Sequence, residues 1–126
     1  MIVWNWPFLV AAALMAAVFL LHLFGGGKEA ARPLLKSTEL SQQARMTLYY
    51  AWHLVTVGLL ASALVFLAAG MRPEWTAIGW AAGLMMAVYA LVSIVQTIAM
   101  RLPFTMVPQW VFFAPIAFFA IWGAMR

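Results

Sequence analysis

Four long apolar segments alternate with short polar stretches along the chain, and the apolar segments carry no acidic residue. A helix of about 20 apolar residues is long enough to cross a hydrocarbon layer of roughly 30 Å. The pattern therefore predicts an all-α integral membrane protein, a compact bundle of four transmembrane helices with antiparallel up-down topology. The predicted spans within a single membrane domain, residues 1–126, are 2–24, 46–70, 75–100 and 104–125.

Glycine and capping residues predict where the first two helices meet. Gly25–Gly27 are expected to end the first helix and to begin a polar loop over residues 25–45. Ser37 or Thr38 is expected to cap an earlier start of the second helix, with Glu39 in its first turn. In that interpretation Arg32-Pro33 begins a short interfacial helix within the loop.

Composition supports the membrane interpretation and excludes several kinds of site. The chain is 67% hydrophobic and only 8% charged, so it lacks the charged surface of a soluble domain. Without cysteine it forms no disulfide, thiolate zinc site or iron–sulfur cluster. A net charge of +4 from so few charges is not the dense basic face that nucleic acids bind. The expected partner is the lipid bilayer.

The distribution of basic residues predicts the orientation in the membrane. Five of the seven lie on one predicted side and two on the other: Lys28, Arg32, Lys36, Arg45 and Arg101 against Arg72 and Arg126. Basic residues accumulate in cytoplasmic loops of membrane proteins. We therefore expect a multi-pass protein of a bacterial-type inner membrane, with the loop over residues 25–45 in the cytoplasm and both termini outside.

A polar stripe along the second span marks the candidate site. Its members recur every three or four residues, which places them on one helical face: Gln42, Arg45, Tyr49, His53 and Thr56. His22 belongs to the same leaflet on the preceding helix, so we expect it to approach this stripe. The candidate ligand-binding residues are His22, Arg45, Tyr49, His53 and Thr56.

Three interpretations of the two histidines remain open. His22 and His53 are packing residues satisfied by local hydrogen bonds, or they ligate a metal or haem b, or they belong to a small polar pocket for an anion or headgroup. Two histidines without a supporting carboxylate make an incomplete metal site, so no metal and no cofactor are expected. The pocket would combine them with Arg45.

Small residues predict where helices pack closely. Gly58 and Ser62 lie on the face of the second span opposite the polar stripe, which predicts a central position for that helix. Gly79 and Gly83 form a Gly-x-x-x-Gly pair in the third span. This pair predicts a helix contact within the monomer or across a homodimer.

Catalytic patterns are absent from the sequence. No serine lies in a Gly-x-Ser-x-Gly turn, and Gly25-Gly26-Gly27-Lys28 lacks the spacing of a phosphate-binding loop. We therefore expect a non-enzymatic accessory or partner-binding membrane subunit, possessing no catalytic residues and belonging to a homodimer or a larger membrane complex. The alternatives are a binding or transport module for a small molecule or ion, with a cytoplasmic-side polar pocket, and a haem- or metal-binding redox protein.

Overall fold

A computed structural model describes residues 4–126, and all regular structure within that range is helical. We label the helices α1 (Trp6–Lys36), α2 (Gln42–Met71), α3 (Thr76–Ala99) and α4 (Gln109–Ala124). A single 3₁₀ turn, Pro73–Trp75, leads from α2 into α3. The residues expected to begin the first span, Ile2 and Val3, lie outside the described residues.

Three helical segments are long and apolar enough to cross a membrane, namely Trp6–Lys36, Gln42–Met71 and Pro73–Ala99. The fourth helix is apolar but has only 16 residues, and at 1.5 Å per residue it is about 24 Å long. The sequence predicted a span over residues 104–125. The structure instead places turns before Gln109, because the chain reverses there around Pro103 and Pro108.

The expectation that Gly25–Gly27 end the first helix is wrong. The chain remains helical to Lys36, and a wider π-helical segment, Leu21–Ala31, lies inside α1. None of the described glycines has a positive φ, so none adopts the left-handed conformation that ends a helix. In a regular α-helix the ring of Pro33 would clash with the carbonyl of Glu29, and a wider preceding turn gives a physical reason for the π segment.

The connection between α1 and α2 is correspondingly short. Residues 37–41 are the non-helical part of the expected loop over residues 25–45. The Ser41 hydroxyl accepts a hydrogen bond from the Ala44 amide at 3.1 Å, so Ser41 is the N-cap of α2 rather than Ser37 or Thr38. Arg45 Nη1 also donates to the Ser37 carbonyl, at 2.6 Å. These two bonds stabilise the reversal of the chain.

The core lies where all four helices are present. The first helix packs along α2 and also against α4, and α4 packs closely on α3. Buried α2 residues all come from its second half, so α2 is not the central helix that its sequence predicted. Its contact with α3 is smaller and includes the close approach of Ala69 to Gly79. The largest fully buried side chains are Phe8, Phe66, Met15, Met86, Ile116, Thr97 and Pro7.

Two glycines of α3 allow neighbouring helices to approach closely. A Cβ at Gly79 would lie 2.7 Å from Ala69 Cβ and 2.8 Å from the Phe8 ring, and one at Gly83 would lie 2.8 Å from Ala120 Cβ. Of the two expected contacts, within the monomer or across a homodimer, the structure shows the contact within the monomer, because the chain's own helices cover both residues. By contrast, a Cβ at Gly58 would meet nothing within 4 Å.

Asn5 joins three helices at the opposite end of the molecule from the α1–α2 connection. Its backbone amide donates to the Gly70 carbonyl at 2.8 Å, and its side-chain Nδ2 donates to the Gly123 carbonyl at 2.8 Å. These bonds satisfy carbonyls in the last turns of α2 and α4, which have no partner within their own helices. Asn5 thereby fixes the start of α1 against both.

Gly79→Ala and Gly58→Ala test the packing as a matched pair. We expect Gly79→Ala to lower the free energy of unfolding by about 1–3 kcal/mol, since the added methyl overpacks the contact with Ala69 and Phe8. Gly58→Ala should be neutral or stabilising by up to about 1 kcal/mol, because alanine favours a helix. Unfolding in mixed detergent micelles measures both, and equal effects would contradict the packing described.

Gly25→Ala tests the continuity of α1. A Cβ there would meet nothing within 4 Å, and the residue is helical. We expect the substitution to raise the free energy of unfolding by up to about 1 kcal/mol, because glycine is unfavourable within a helix. If Gly25 ended the helix in a left-handed conformation, the same substitution would destabilise the protein in the same assay.

Candidate functional site

The candidate site lies in a two-helix arm formed by residues 21–36 of α1 and 42–58 of α2. The arm extends beyond the buried core: no residue from 42 to 58 is buried, and Ala31 is the one buried residue from 21 to 36. In the arm, Leu21–Ala31 and Arg32–Lys36 both contact α2, but less extensively than the first part of α1 does in the core. Side chains here are therefore positioned by one neighbouring helix.

His22 is held by a group of hydrogen bonds to α2. Its Nε2 atom lies 2.8 Å from Thr56 Oγ1 and 3.3 Å from the Trp52 carbonyl oxygen. A carbonyl only accepts, so we assign the ring hydrogen to Nε2 from these partners. The Thr56 hydroxyl donates its own hydrogen to the Trp52 carbonyl at 3.0 Å. The Thr56 oxygen therefore accepts the hydrogen of His22 Nε2. The His22 Nε2–H, the Thr56 hydroxyl and the Trp52 carbonyl each have a hydrogen-bond partner.

Trp52 is the centre of an aromatic cluster that also contains both histidines. Its ring stacks on His22, with centroids 4.6 Å apart and an interplanar angle of 23°. His53 meets Trp52 edge-on at 5.2 Å and Tyr49 edge-on at 4.4 Å. The two histidines are thus joined through Trp52, and His53 is exposed. Edge-to-face and offset arrangements of this kind are the favourable geometries for aromatic rings.

The indole N–H of Trp52 has no hydrogen-bond acceptor within the part of the chain that the structure describes. The nitrogen is buried and unpaired among the described residues. A Cβ built on Gly26 would lie 3.8 Å from Trp52 Nε1 and also 3.8 Å from His22 Nδ1. With the hydrogen on Nε2, the Nδ1 atom of a neutral His22 is an acceptor. An unpaired donor and an acceptor therefore lie beside the same glycine of the π-helical segment.

Five residues were expected to form the site, and the structure brings them only partly together. His22 and Thr56 are hydrogen-bonded, and Tyr49 and His53 join the same cluster through Trp52. Arg45 is about 16 Å along α2 from Thr56 at 1.5 Å per residue. Its guanidinium donates to the Ser37 carbonyl near the end of the arm, away from the cluster. The sequence prediction of a single pocket containing Arg45 does not describe this arrangement.

Sequence reasoning missed Trp52, which contacts both histidines. It lies four residues before Thr56 and three after Tyr49, so its position on the polar face was visible in the helical spacing. Counting only polar and titratable side chains left it out.

The two pairs of residues that were expected to pack helices together differ in their surroundings. Gly79 and Gly83 are buried between helices, as described above. Gly58 is exposed, and the Ser62 hydroxyl donates to the Gly58 carbonyl of its own helix at 2.8 Å. Among residues 4–126, therefore, no other helix approaches α2 closely at Gly58.

Metal-ligating groups are sparse among residues 4–126. No three histidine, cysteine, aspartate or glutamate side chains there are close enough together to hold a metal ion. The Nε2 atom of His22 is engaged by Thr56 Oγ1, at 2.8 Å. Two open surface hollows, of about 430 and 490 Å³, lie around the α2–α3 turn at the other end of the molecule.

These features define an all-helical protein whose three longest helices are apolar enough to cross a membrane, with a polar and aromatic cluster where α1 and α2 extend from the core. No protein-family model, curated protein or solved structure matches the chain significantly. Its function is therefore inferred from its own residues.

Thr56→Val tests the hydrogen bond between α1 and α2. The substitution keeps the shape but removes the acceptor for His22 Nε2, and we expect it to destabilise the protein by roughly 0.6–1.7 kcal/mol. Ser62→Ala is the matched control, because that hydroxyl bonds only within its own helix. Unfolding of the single variants and of a combination with His22→Phe measures the coupling. Additive effects of Thr56→Val and His22→Phe would show that the two residues do not interact.

Proposed function

We propose that the chain is an integral protein of a bacterial-type inner membrane, in which all four helices cross as an antiparallel up-down bundle. The five-to-two distribution of basic residues supports a cytoplasmic α1–α2 connection and external termini. Tryptophans near the proposed external surface support that boundary, since this residue is enriched at membrane interfaces: Trp4, Trp6, Trp75 and Trp122.

The short fourth helix is compatible with a membrane crossing because protein groups satisfy the irregular backbone before it. The Ser93 hydroxyl donates to the Val107 carbonyl at 2.8 Å and accepts from the Trp110 amide at 3.3 Å. The Leu102 amide donates to the Thr97 carbonyl at 2.9 Å. Non-helical backbone is tolerated at membrane depth where other parts of the protein supply such partners.

The function supported best is that of a non-enzymatic accessory subunit that binds a partner through the two-helix arm. The observation that carries this proposal is the continuation of α1 to Lys36, which extends the arm past the four-helix core. From Trp6 to Gly25 the helix is about 28 Å long, close to the thickness of a hydrocarbon layer. Residues 26–36 and their α2 neighbours then project into the cytoplasm.

The projecting arm contributes little to the core, which favours an external role for it. Its residues are mostly exposed, and its end presents Leu35 and Leu40, each 38% exposed, in an aqueous setting. A helix needs exposed apolar residues where it faces lipid, but Leu35 and Leu40 lie beyond the proposed hydrocarbon layer. Partner binding explains a rigid extension with exposed leucines better than topology alone does.

A second candidate function is the binding of a small hydroxyl-bearing ligand at the aromatic cluster. The unpaired Trp52 N–H and the Nδ1 acceptor of His22 beside Gly26 favour it. Such a ligand would accept from Trp52 and donate to His22, which satisfies both groups. Binding requires a small local movement, because the indole nitrogen is covered in this conformation.

A photo-crosslinking amino acid at Leu40, compared with one at Leu91, tests the partner-binding role. Leu40 lies at the exposed end of the arm, and Leu91 is an exposed residue of α3 within its span. We expect one reproducible protein adduct from Leu40 in source cells, retained on native purification, and lipid adducts from Leu91. A reproducibly solitary protein, with no adduct from Leu40, would contradict the proposed function.

A further inference from the structure

Three basic residues follow one another along the outer surface of the arm. Lys28, Arg32 and Lys36 recur every fourth residue, a spacing that places helical residues on adjoining turns. All three are exposed. Leu35 lies three residues after Arg32 and is also exposed, so an apolar side chain adjoins the charges. We call these four residues the basic stripe.

The three basic side chains of the basic stripe form no ion pair among residues 4–126. Within residues 4–126 the one ion pair joins Arg72 to Glu74, at the other end of the molecule. The acidic residues of the arm, Glu29 and Glu39, form no ion pair with the stripe in the described structure. Arg45 is occupied by the Ser37 carbonyl and is not part of the stripe. A row of unpaired cations attracts an anionic partner.

The anionic partner of the basic stripe is either the lipid headgroups or an acidic segment of a protein. The distance of the stripe from the hydrocarbon layer distinguishes between them. If the hydrocarbon layer ends near Gly25, Arg32 and Lys36 lie roughly 10 and 16 Å beyond it at 1.5 Å per residue. The headgroup region adds only about 5–7 Å on each side of the layer. On that placement the backbones of Arg32 and Lys36 lie beyond the headgroup region of their own leaflet. An acidic segment of a protein can reach all three at once.

We propose that the basic stripe docks an acidic amphipathic segment of a partner protein, with carboxylates facing Lys28, Arg32 and Lys36 and an apolar side chain on Leu35. This inference rests on the proposed partner-binding function and specifies the chemistry of the partner. Complementary charge sets the orientation of docking and accelerates association, and its contribution falls as salt is added. The contact with Leu35 persists at high salt.

The test uses the full chain in nanodiscs of zwitterionic lipid and a synthetic helical peptide about 18 residues long, with glutamates on one face and leucines beside them. A matched peptide carries glutamine in place of glutamate. We expect the glutamate peptide to bind, and the triple substitution K28Q/R32Q/K36Q to weaken that binding by about tenfold to a hundredfold, since each of the three exposed ion pairs changes affinity by about twofold to fivefold. Microscale binding titrations at low and high salt measure the effect.

The control variant R72Q/R101Q/R126Q removes the same number of positive charges elsewhere and should leave peptide binding unchanged. Equal weakening by the two triple variants, or equal affinity of the glutamate and glutamine peptides, would overturn the proposal. If the Leu40 adduct persists in that case, the partner-binding function stands and only the acidic chemistry of the partner is wrong. Loss of the Leu40 adduct as well would reject both the partner-binding function and the acidic partner segment.

Membrane binding is the other outcome of the test. The chain has no cysteine, so Lys36→Cys gives a single site for a spin label. We expect the label to be accessible to a water-soluble relaxing agent in nanodiscs of phosphatidylcholine and of phosphatidylglycerol alike. Protection of the label from water only with the anionic lipid would overturn the proposal and assign the basic stripe to headgroups.

Discussion

Continuity of the first helix through three consecutive glycines determines the shape of this molecule. Because α1 does not end at Gly25, it continues beyond the core and still contacts α2 there, through Leu21–Ala31 and Arg32–Lys36. The hydrogen bond between His22 and Thr56 and the stacking of His22 on Trp52 lie in this pairing. A break at the glycines would separate the aromatic cluster from the end of the arm.

The core and the arm depend on different kinds of packing. In the core, Phe8 lies beside Gly79 and Gly123, so the helices approach closely around one large ring. In the arm, a Cβ at Gly26 or Gly27 would lie 3.8–3.9 Å from Trp52, an ordinary contact. The glycines of α1 are therefore not required for close approach. They lie instead in a π-helical segment, next to a Trp52 indole N–H that is buried and unpaired among the described residues.

The apolar periodicity predicted much of the fold but not the helix ends. In lipid, a long charge-free segment must form its backbone hydrogen bonds internally, and a helix does so. The helical content and the three long apolar helices therefore followed from the pattern. Gly25–Gly27 were misjudged because glycine ends a helix only when it adopts a left-handed conformation, which depends on tertiary packing. The central position predicted for α2 failed for a related reason: small residues such as Gly58 permit contact without requiring it.

The candidate site was predictable in position more than in composition. Helical spacing placed Thr56 and Tyr49 on the face that His22 approaches, and the structure joins them there. Arg45 was grouped with them because charge is conspicuous in an apolar sequence, yet its guanidinium has a nearer acceptor at Ser37. Trp52 was invisible to a search for titratable groups. Local geometry, including which carbonyl lies nearest to a donor, is decided by packing that spacing alone does not specify.

The central claim, that α1 is one continuous rigid helix into the arm, is tested most directly by a distance between spin labels at Ala13→Cys and Leu35→Cys. Both positions are exposed, and the chain has no other cysteine. A continuous helix predicts a single narrow distribution at about 33 Å, from a rise of 1.5 Å per residue. A broad distribution, or a distance much shorter than this, would show that the chain bends or loosens at Gly25–Gly27 and would contradict the account.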